Sequence, residues 1–262
     1  MVTRLVFYIM LGLTAHLNCE AEVAPLKQGH AHNDYEHERP LFDALENGFC
    51  SVEVDIFLVE GVFLVGHDKK DLRPEKTIQN LYLNPLRERI RKNGGRVYKG
   101  GPPLTLLIDV KSDGSKAYAR LRTLLAKYSD ILSGLDKGKW VQRAVTAVIS
   151  GNRAKDLIAA DGSRHAGIDG RISDLESSAQ SHLMPLISDR WGSHFKWRGD
   201  GEFPKDERFK LHELVKKVHQ SGRRIRFWAT PDKVSVWREL NEAGVDLINA
   251  DNLSGLRQFL RP

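Results

Sequence analysis

Four short polar clusters in this sequence each follow an apolar run, and their residue types suit acid–base and metal chemistry. The clusters are Gly29-His30-Ala31-His32-Asn33-Asp34-Tyr35, Glu53-Val54-Asp55, Gly66-His67-Asp68 and Asp109-Val110-Lys111. Each lies at the carboxyl end of a predicted strand. In a barrel of parallel strands these ends meet on one face, where barrel enzymes hold their active sites. The four clusters are therefore expected to form one site.

The second and fourth clusters supply carboxylates. Glu53 and Asp55 are two residues apart on a predicted strand, so their side chains point in the same direction. Two neighbouring carboxylates repel each other unless a cation lies between them. Asp109 ends another predicted core strand and adds a third carboxylate, and hard oxygen ligands favour Mg²⁺ or Ca²⁺. We predict that these three residues hold a divalent metal ion; the alternative is that Glu53 and Asp55 face solvent.

Two histidines, His30 and His67, are expected to flank this metal. Cleavage of a phosphodiester needs one group that deprotonates the attacking oxygen and another that protonates the leaving oxygen. Histidine suits both tasks because its pKa lies near neutrality. Lys111 is two residues after Asp109, so it faces the same side and is expected to hold a phosphate oxygen.

Predicted strands and helices alternate along the chain, and these elements must position the site residues. Strands are predicted at 49–58, 62–65, 104–110, 144–149, 165–168, 184–187, 224–228 and 245–248. Helices are predicted at 40–47, 117–128, 209–220 and 234–243, and glycines 48, 222 and 244 follow three of them. This alternation predicts a mostly parallel sheet.

The fold class predicted for this chain is α/β, as a (β/α)₈ TIM barrel of irregular build. The length of 262 residues fits such a barrel. The competing fold is an open, doubly wound sheet. No Gly-x-Gly-x-x-Gly follows a first strand, so a nucleotide-binding version of that fold has no support.

The order of the clusters resembles the core of the superfamily of glycerophosphodiester phosphodiesterases and phosphatidylinositol phospholipase C-like enzymes. Its members show a first histidine after strand one, a Glu-x-Asp metal pair and a later His-Asp. Asp109-Val110-Lys111 resembles the third metal ligand and lysine of the sphingomyelinase D branch. The His-Asn-Asp-Tyr start and Arg226-Phe227-Trp228 are most similar to the altered-inheritance-of-mitochondria branch.

This resemblance implies a role for each site residue. His30 and His67 would be the acid–base pair, and Glu53, Asp55 and Asp109 would bind the metal. The supporting or substrate-binding residues would be His32, Asn33, Lys111 and Trp228. The usual His-Arg-Gly of glycerophosphodiesterases is replaced by His30-Ala31-His32, so a preference for a glycerol moiety does not carry over. Either His30 or His32 fits the role of the first acid–base histidine, and the position of Gly29 directly before His30 favours His30. Direct hydrolysis and attack by a neighbouring hydroxyl, which gives a cyclic phosphate, both remain open.

Two other functions compete with a phosphodiesterase. A metal-dependent amidohydrolase would use His30-x-His32 as its metal pair, but it leaves Glu53-Val54-Asp55 and Gly66-His67-Asp68 unexplained. A barrel that only binds a phosphorylated lipid or sugar is the non-enzymatic alternative. Turnover that depends on metal separates the two classes.

The first 21 residues have the pattern of a secretory signal peptide, with an apolar run at 5–17 and small residues before a cleavage site after Ala21. We therefore predict a signal peptide at 1–21, a phosphodiesterase domain at 22–262 and a secreted or periplasmic protein. Cys50 would then be the one remaining cysteine, as a buried small hydrophobe.

The formal net charge of +6 is suited to anionic partners. We expect a lipid or soluble phosphodiester substrate and transient contact with a membrane surface. Binding of nucleic acid is not expected, because the basic cluster at 87–99 lacks the series of interleaved aromatic residues that a nucleic-acid platform needs. Trp191 and Trp197 stand in a stretch that is predicted to be a lid or an ordinary surface loop. Oligomeric state cannot be read from these patterns.

Overall fold

The computed structural model describes residues 23–261 and forms a barrel of eight parallel strands. The barrel strands are β1 (Leu26–Ala31), β2 (Phe49–Val59), β4 (Leu104–Val110), β7 (Val145–Gly151), β8 (Gly167–Gly170), β9 (Leu186–Arg190), β10 (Arg224–Trp228) and β11 (Ile248–Ala250). A further strand, β3 (Val62–Val65), pairs antiparallel with the end of β2. The strands β5 (Gly134–Asp136) and β6 (Lys139–Val141) form a separate small hairpin.

Helices follow most of these strands and cover the outside of the barrel. They are α1 (Phe42–Glu46), α2 (Asn84–Lys92), α3 (Gly114–Ala126), α4 (Lys155–Ala160), α5 (Trp191–His194), α6 (Lys205–Gln220), α7 (Val234–Glu242) and α8 (Leu253–Leu260). Together the strands and helices confirm the predicted (β/α)₈ TIM barrel. Within residues 23–261 no helix is both long and apolar enough to cross a bilayer.

The strand order around the barrel is β10-β9-β8-β7-β4-β2-β1-β11, and each neighbouring pair is parallel. The ring closes between β10 and β11 through an isolated parallel bridge from Arg226 to Leu247. The carboxyl ends of all eight strands therefore point to one mouth of the barrel, here called the upper mouth. The opposite opening is the lower mouth.

Residues that alternate along each strand separate the inside of the barrel from the main core. On β2, for example, Val52, Val54 and Ile56 are fully buried against the helices, whereas Glu53 and Asp55 face the interior. The interior contains a separate apolar layer in which each side chain is at most 1% exposed, made of Leu107, Val148, Leu186 and Leu247. This layer divides the polar upper mouth from the lower mouth.

The predicted elements agree with the structure apart from their ends. The strands at 62–65, 104–110 and 224–228 have the predicted bounds. The predicted strand 245–248 is shifted, because β11 begins only at Ile248. Cys50 is buried and free, as predicted. The predicted signal peptide at 1–21 lies outside the described residues.

Candidate active site

Three carboxylates gather at the upper mouth. Asp55 on β2 stands beside Asp109 on β4 in the strand register, and Glu53 lies two residues before Asp55. One oxygen from each of Glu53, Asp55 and Asp109 lies within 4.8 Å of the other two. Glu53 and Asp55 are 5% and 1% exposed, so they do not face solvent. Parallel pairing of two inward-facing strand ends thus brings the predicted ligands together.

The carboxylate cluster fits a divalent cation on two observations. Asp55 Oδ1 and Asp109 Oδ1 are buried and have no hydrogen-bond partner in the structure, a costly condition for anionic oxygens. Burial and the neighbouring acids raise the pKa of Asp55 to about 6, although the charge of Lys111 lowers it. Burial also raises the pKa of Asp109. Hard oxygen donors that have no hydrogen-bond partner among the described residues suit Mg²⁺ or Ca²⁺.

A glycine keeps space beside the Asp109 oxygen. Gly151, at the end of β7, has a φ of +66°, and a Cβ at this position would collide with Asp109 Oδ1. A residue with a side chain would therefore be strained by its backbone and would also block the orphaned oxygen.

Glu53 is held in its ionised form by two neighbouring residues. Burial opposes ionisation, but Arg226 and His30 hold the pKa of Glu53 well below its usual range. Arg226 Nη2 donates to Glu53 Oε2 at 2.7 Å, and its Nε donates to Asn249 Oδ1 at 2.9 Å. A buried arginine on β10 therefore secures one oxygen of a carboxylate on β2.

The two predicted acid–base histidines have different environments. His30 is fully buried, with Nδ1 2.7 Å from Ser51 Oγ and Nε2 3.1 Å from Glu53 Oε2. Burial and Arg226 lower the pKa of His30 to about 4, so it is neutral at pH 7. The side chain of His67 is 56% exposed, and its Nδ1 lies 3.2 Å from the Tyr35 hydroxyl and 3.4 Å from Asp55 Oδ2. The other ring nitrogen of His67 carries no protein hydrogen bond.

His32 belongs to a different contact. Its Nδ1 lies 2.9 Å from Asp251 Oδ1. Burial lowers the pKa of His32, but the hydrogen bond to Asp251 and the charges of Glu53 and Asp251 together raise it overall. Within residues 23–261 the one group of three or more potential metal ligands is the carboxylate cluster, so the His30-x-His32 pair does not form part of such a group.

Lys111 lies between two of the carboxylates. Its Nζ is 3.1 Å from Asp55 Oδ2 and 3.3 Å from Asp109 Oδ2. Burial lowers the pKa of Lys111, but the two aspartates outweigh burial and raise it. The lysine is therefore a fixed positive charge at the edge of the cluster.

A cavity of about 510 Å³ opens above these groups at the upper mouth. Seven of the nine predicted site residues line it, namely His32, Asn33, Glu53, His67, Asp109, Lys111 and Trp228. His30 and Asp55 lie next to these residues but are buried beneath the cavity wall. A larger cavity of about 830 Å³ lies at the lower mouth, away from this chemistry.

The sequence analysis did not identify several residues that hold the site together. Arg226 secures Glu53, the Tyr35 hydroxyl donates to Asp55 Oδ2 at 2.8 Å, and Arg171 lines the cavity. A usable signal was the alternation on β10, where Arg224, Arg226 and Trp228 share one face. The partners of these side chains could not be read from that alternation.

Residues 195–204 form an irregular loop, as one of the two expectations had it, but Trp191 and Trp197 do not lie at its surface. The two side chains are 0% and 8% exposed, and Trp191 Nε1 donates to the carbonyl of Trp197 at 2.8 Å. They pack with Phe195, Phe203 and Phe227 in an aromatic cluster behind β10. Burial of large aromatic area explains why this segment is part of the core.

Two family models match parts of the chain. A family model described as an AIM6-like phosphodiesterase domain matches residues 17–167. A second model, for the glycerophosphoryl diester phosphodiesterase family, matches residues 224–254. The two matches include β1, β2 and β4 at one end of the chain and β10 and β11 at the other.

Relatives and a solved structure are similar over most of the chain. An altered inheritance of mitochondria protein 6 homolog from Arthroderma benhamiae is 27% identical, with 88% of this chain and 82% of the relative covered. Altered inheritance of mitochondria protein 6 from Eremothecium gossypii is 28% identical, with 95% and 73% covered. A Ca²⁺-dependent phosphatidylinositol-specific phospholipase C from Streptomyces antibioticus shares the fold, with a TM-score of 0.55, 15% identity, and 92% and 96% covered.

Proposed function

We propose that this chain, which belongs to the family of AIM6-like phosphodiesterase domains, is an enzyme that cleaves phosphodiesters with a divalent metal ion and two histidines. The family supports a phosphodiesterase-type enzyme, and the metal, the residue roles and the substrate are the proposal. The observation that carries it is the convergence of three carboxylates, two imidazoles and Lys111 at one mouth of the barrel.

Glu53, Asp55 and Asp109 would hold the metal, with Mg²⁺ and Ca²⁺ as the candidates. The ion would withdraw charge from a non-bridging phosphate oxygen and stabilise the negative charge that grows in the transition state. The orphaned oxygens of Asp55 and Asp109 support this assignment. The solved structure with the same fold is described as Ca²⁺-dependent, which makes Ca²⁺ the first ion to test.

The protein groups divide the proton transfers between them. His30 is neutral at pH 7 and is assigned the base role. Its two ring nitrogens contact Ser51 and Glu53, so this role requires that one of these contacts be exchanged for the attacking oxygen. His67 lies against Tyr35 and Asp55 at Nδ1. In its imidazolium form the ring would carry a second proton on Nε2, which it would give to the leaving oxygen. Lys111 holds a phosphate oxygen as a point charge.

The substrate is proposed to be a phosphodiester of the glycerophosphodiester or phospholipid type. The cavity of about 510 Å³ would receive the headgroup with its phosphate, and Lys111, Arg171 and Arg226 line it together with the carboxylates of Glu53 and Asp109. Trp228 and Asn33 line the same cavity and would contact the organic part of the substrate. A signal peptide at 1–21 would place the enzyme outside the cytoplasm, where transient contact with a membrane surface would give access to lipid.

The test is hydrolysis of bis(p-nitrophenyl) phosphate by the purified protein, first with EDTA and then with Mg²⁺ or Ca²⁺ restored. We expect activity that disappears with EDTA and returns with one of the two ions. Natural lipid diesters follow in the same assay, and ³¹P NMR of the product distinguishes a cyclic phosphate from an open monoester. Activity that survives EDTA, or none on any diester with either metal, would overturn the proposal.

A matched variant pair tests the residue roles. Lys111→Gln removes the charge between Asp55 and Asp109, and we expect a loss of at least about tenfold in kcat/KM. Lys116→Gln removes a lysine at the exposed start of α3 and serves as the control. Equal activity of the two variants would contradict the role of Lys111.

A further inference from the structure

The lower mouth of the barrel contains the larger cavity, of about 830 Å³. The first residues of several barrel strands line it, among them Gln28 on β1, Thr105 on β4 and Arg224 on β10. The buried apolar layer of Leu107, Val148, Leu186 and Leu247 separates it from the upper mouth. A ligand in the lower mouth would therefore not touch the proposed reactive groups.

Arg224 carries a charge that its surroundings compensate poorly. Its Nη2 donates to Thr105 Oγ1 at 2.8 Å across the barrel, and none of the ion pairs formed within residues 23–261 includes it. Asp246 also lines this cavity, but its Oδ2 already accepts from the Ile225 amide and lies 2.8 Å from His219 Nε2. Burial lowers the pKa of Arg224, which reflects the same lack of compensation. A guanidinium has five N–H donors, so most of those on Arg224 lack a protein acceptor among the described residues.

The neighbouring Arg223 has a structural role, because protein carbonyls accept its hydrogen bonds. It is 4% exposed and donates to the carbonyls of Asp174, Ser177 and Ala179, at 3.3, 3.0 and 2.7 Å. Those three acceptors fix a loop against the barrel. Arg224 differs because its donors face a cavity.

Further donors and a flat aromatic surface surround Arg224. Lys27 lines the same cavity and is exposed. The Thr105 oxygen accepts from Arg224, so its own proton is free to be donated. At the rim, Trp140 stacks on His182 with ring centroids 5.3 Å apart and planes 12° apart.

We propose that the lower mouth is a second, non-catalytic ligand site, which binds a phosphomonoester through Arg224 and Lys27. A guanidinium fork matches the geometry of a phosphate, and two cations match its double charge. The hydroxyl and amide groups of Thr105 and Gln28 provide more donors than a carboxylate could use. The stacked Trp140 and His182 give the organic part of the ligand a surface on which to pack.

The experiment uses inorganic phosphate as the probe, with thermal unfolding of the full chain in chloride buffer and EDTA. We expect phosphate to raise Tm by on the order of a few degrees. Lys111→Gln, which weakens the upper site, should retain this rise, whereas Arg224→Gln should lose it. The proposal is overturned if wild type shows no rise, if Arg224→Gln keeps it, or if Lys111→Gln loses it.

A second readout separates ligand binding from a structural role. In phosphate-free buffer Arg224→Gln should be at least as stable as wild type, because it removes an uncompensated charge. A clearly lower Tm would make Arg224 structural. Lys27→Gln changes an exposed side chain and so is expected to fold normally, and it should weaken phosphate binding by at least about tenfold. Unchanged binding in Lys27→Gln would remove Lys27 from the site.

Discussion

Arg226 and Glu53 form an ion pair inside the barrel, with Nη2 2.7 Å from Oε2 and side chains that are 3% and 6% exposed. The same Glu53 oxygen lies 3.1 Å from His30 Nε2. One buried arginine therefore keeps a metal-cluster carboxylate ionised and also lowers the pKa of the neighbouring histidine.

Removal of one member of this pair should be costly. Arg226→Met leaves the Glu53 carboxylate buried without its counter-charge, so we expect a loss of about 3 kcal/mol in the free energy of unfolding. Urea unfolding measures it. The double variant Arg226→Met/Glu53→Gln should recover part of the loss. Arg208→Met, which breaks a pair whose arginine side chain is 41% exposed, is the control and should cost less than about 1 kcal/mol. Equal losses in both single variants would contradict this account.

Metal binding should weaken in acid. The pKa of Asp55 is raised to about 6 in the metal-free protein, so below pH 6 a proton competes for the carboxylate. We expect the Kd for Ca²⁺ or Mg²⁺ to be about tenfold higher at pH 5 than at pH 7.5, as measured by calorimetry. Asp55→Asn should bind more weakly and lose most of this dependence. Identical affinities of wild type at both pH values would rule out Asp55 as a ligand, and unchanged binding in Glu53→Gln would do the same for Glu53.

Added imidazole should restore activity to one of the two histidine variants and not to the other. His30→Ala and His67→Ala should each lower kcat by about 10²–10⁴, while His212→Ala on the exposed face of α6 should have no effect. Added imidazole should restore part of the activity of His67→Ala, because the native ring is 56% exposed. It should not restore His30→Ala, whose ring is fully buried. Loss in His32→Ala with full activity in His30→Ala would transfer the acid–base role to His32.

Gly151 should be essential for the metal site. Gly151→Ala places a methyl group against Asp109 Oδ1 at a positive φ, so we expect metal affinity to fall by at least about tenfold, with a loss of about 1–2 kcal/mol in stability. Gly162→Ala is the matched control, because nothing lies within 4 Å of its Cβ position. If Gly151→Ala bound metal as wild type does, Asp109 Oδ1 would not be a ligand oxygen.

The grouping of the three carboxylates could be predicted from the sequence because it depends on local rules. Glu53 and Asp55 share a face through the two-residue period of a strand, and Asp109 ends the neighbouring strand. The role of Arg226 could not be predicted, because it meets Glu53 across the barrel at a separation of 173 residues. Whether two residues so far apart in the sequence meet depends on which strands close the barrel.

Two segments differ from their predictions, and each difference has a physical reason. The apolar run that suggested a strand at 245–248 begins with residues that bond differently: the Val245 amide donates to the Leu240 carbonyl, and the next two amides donate to the Ile225 carbonyl. Trp191 and Trp197 lie in a stretch without strand or helix periodicity, which suggested a loop. Their burial depends on aromatic partners that are distant in the sequence, such as Phe227.

The side chain of Arg226 also helps to close the barrel. An isolated bridge from Arg226 to Leu247 joins β10 to the residues that lead into β11, and the side chain of Arg226 adds bonds to Asn249 on β11 and Glu53 on β2. The side chain that helps to close the ring is thus also the one that compensates the charge of Glu53. If β11 moved outward, Arg226 would lose its acceptor on Asn249 and would keep Glu53 as its remaining side-chain partner.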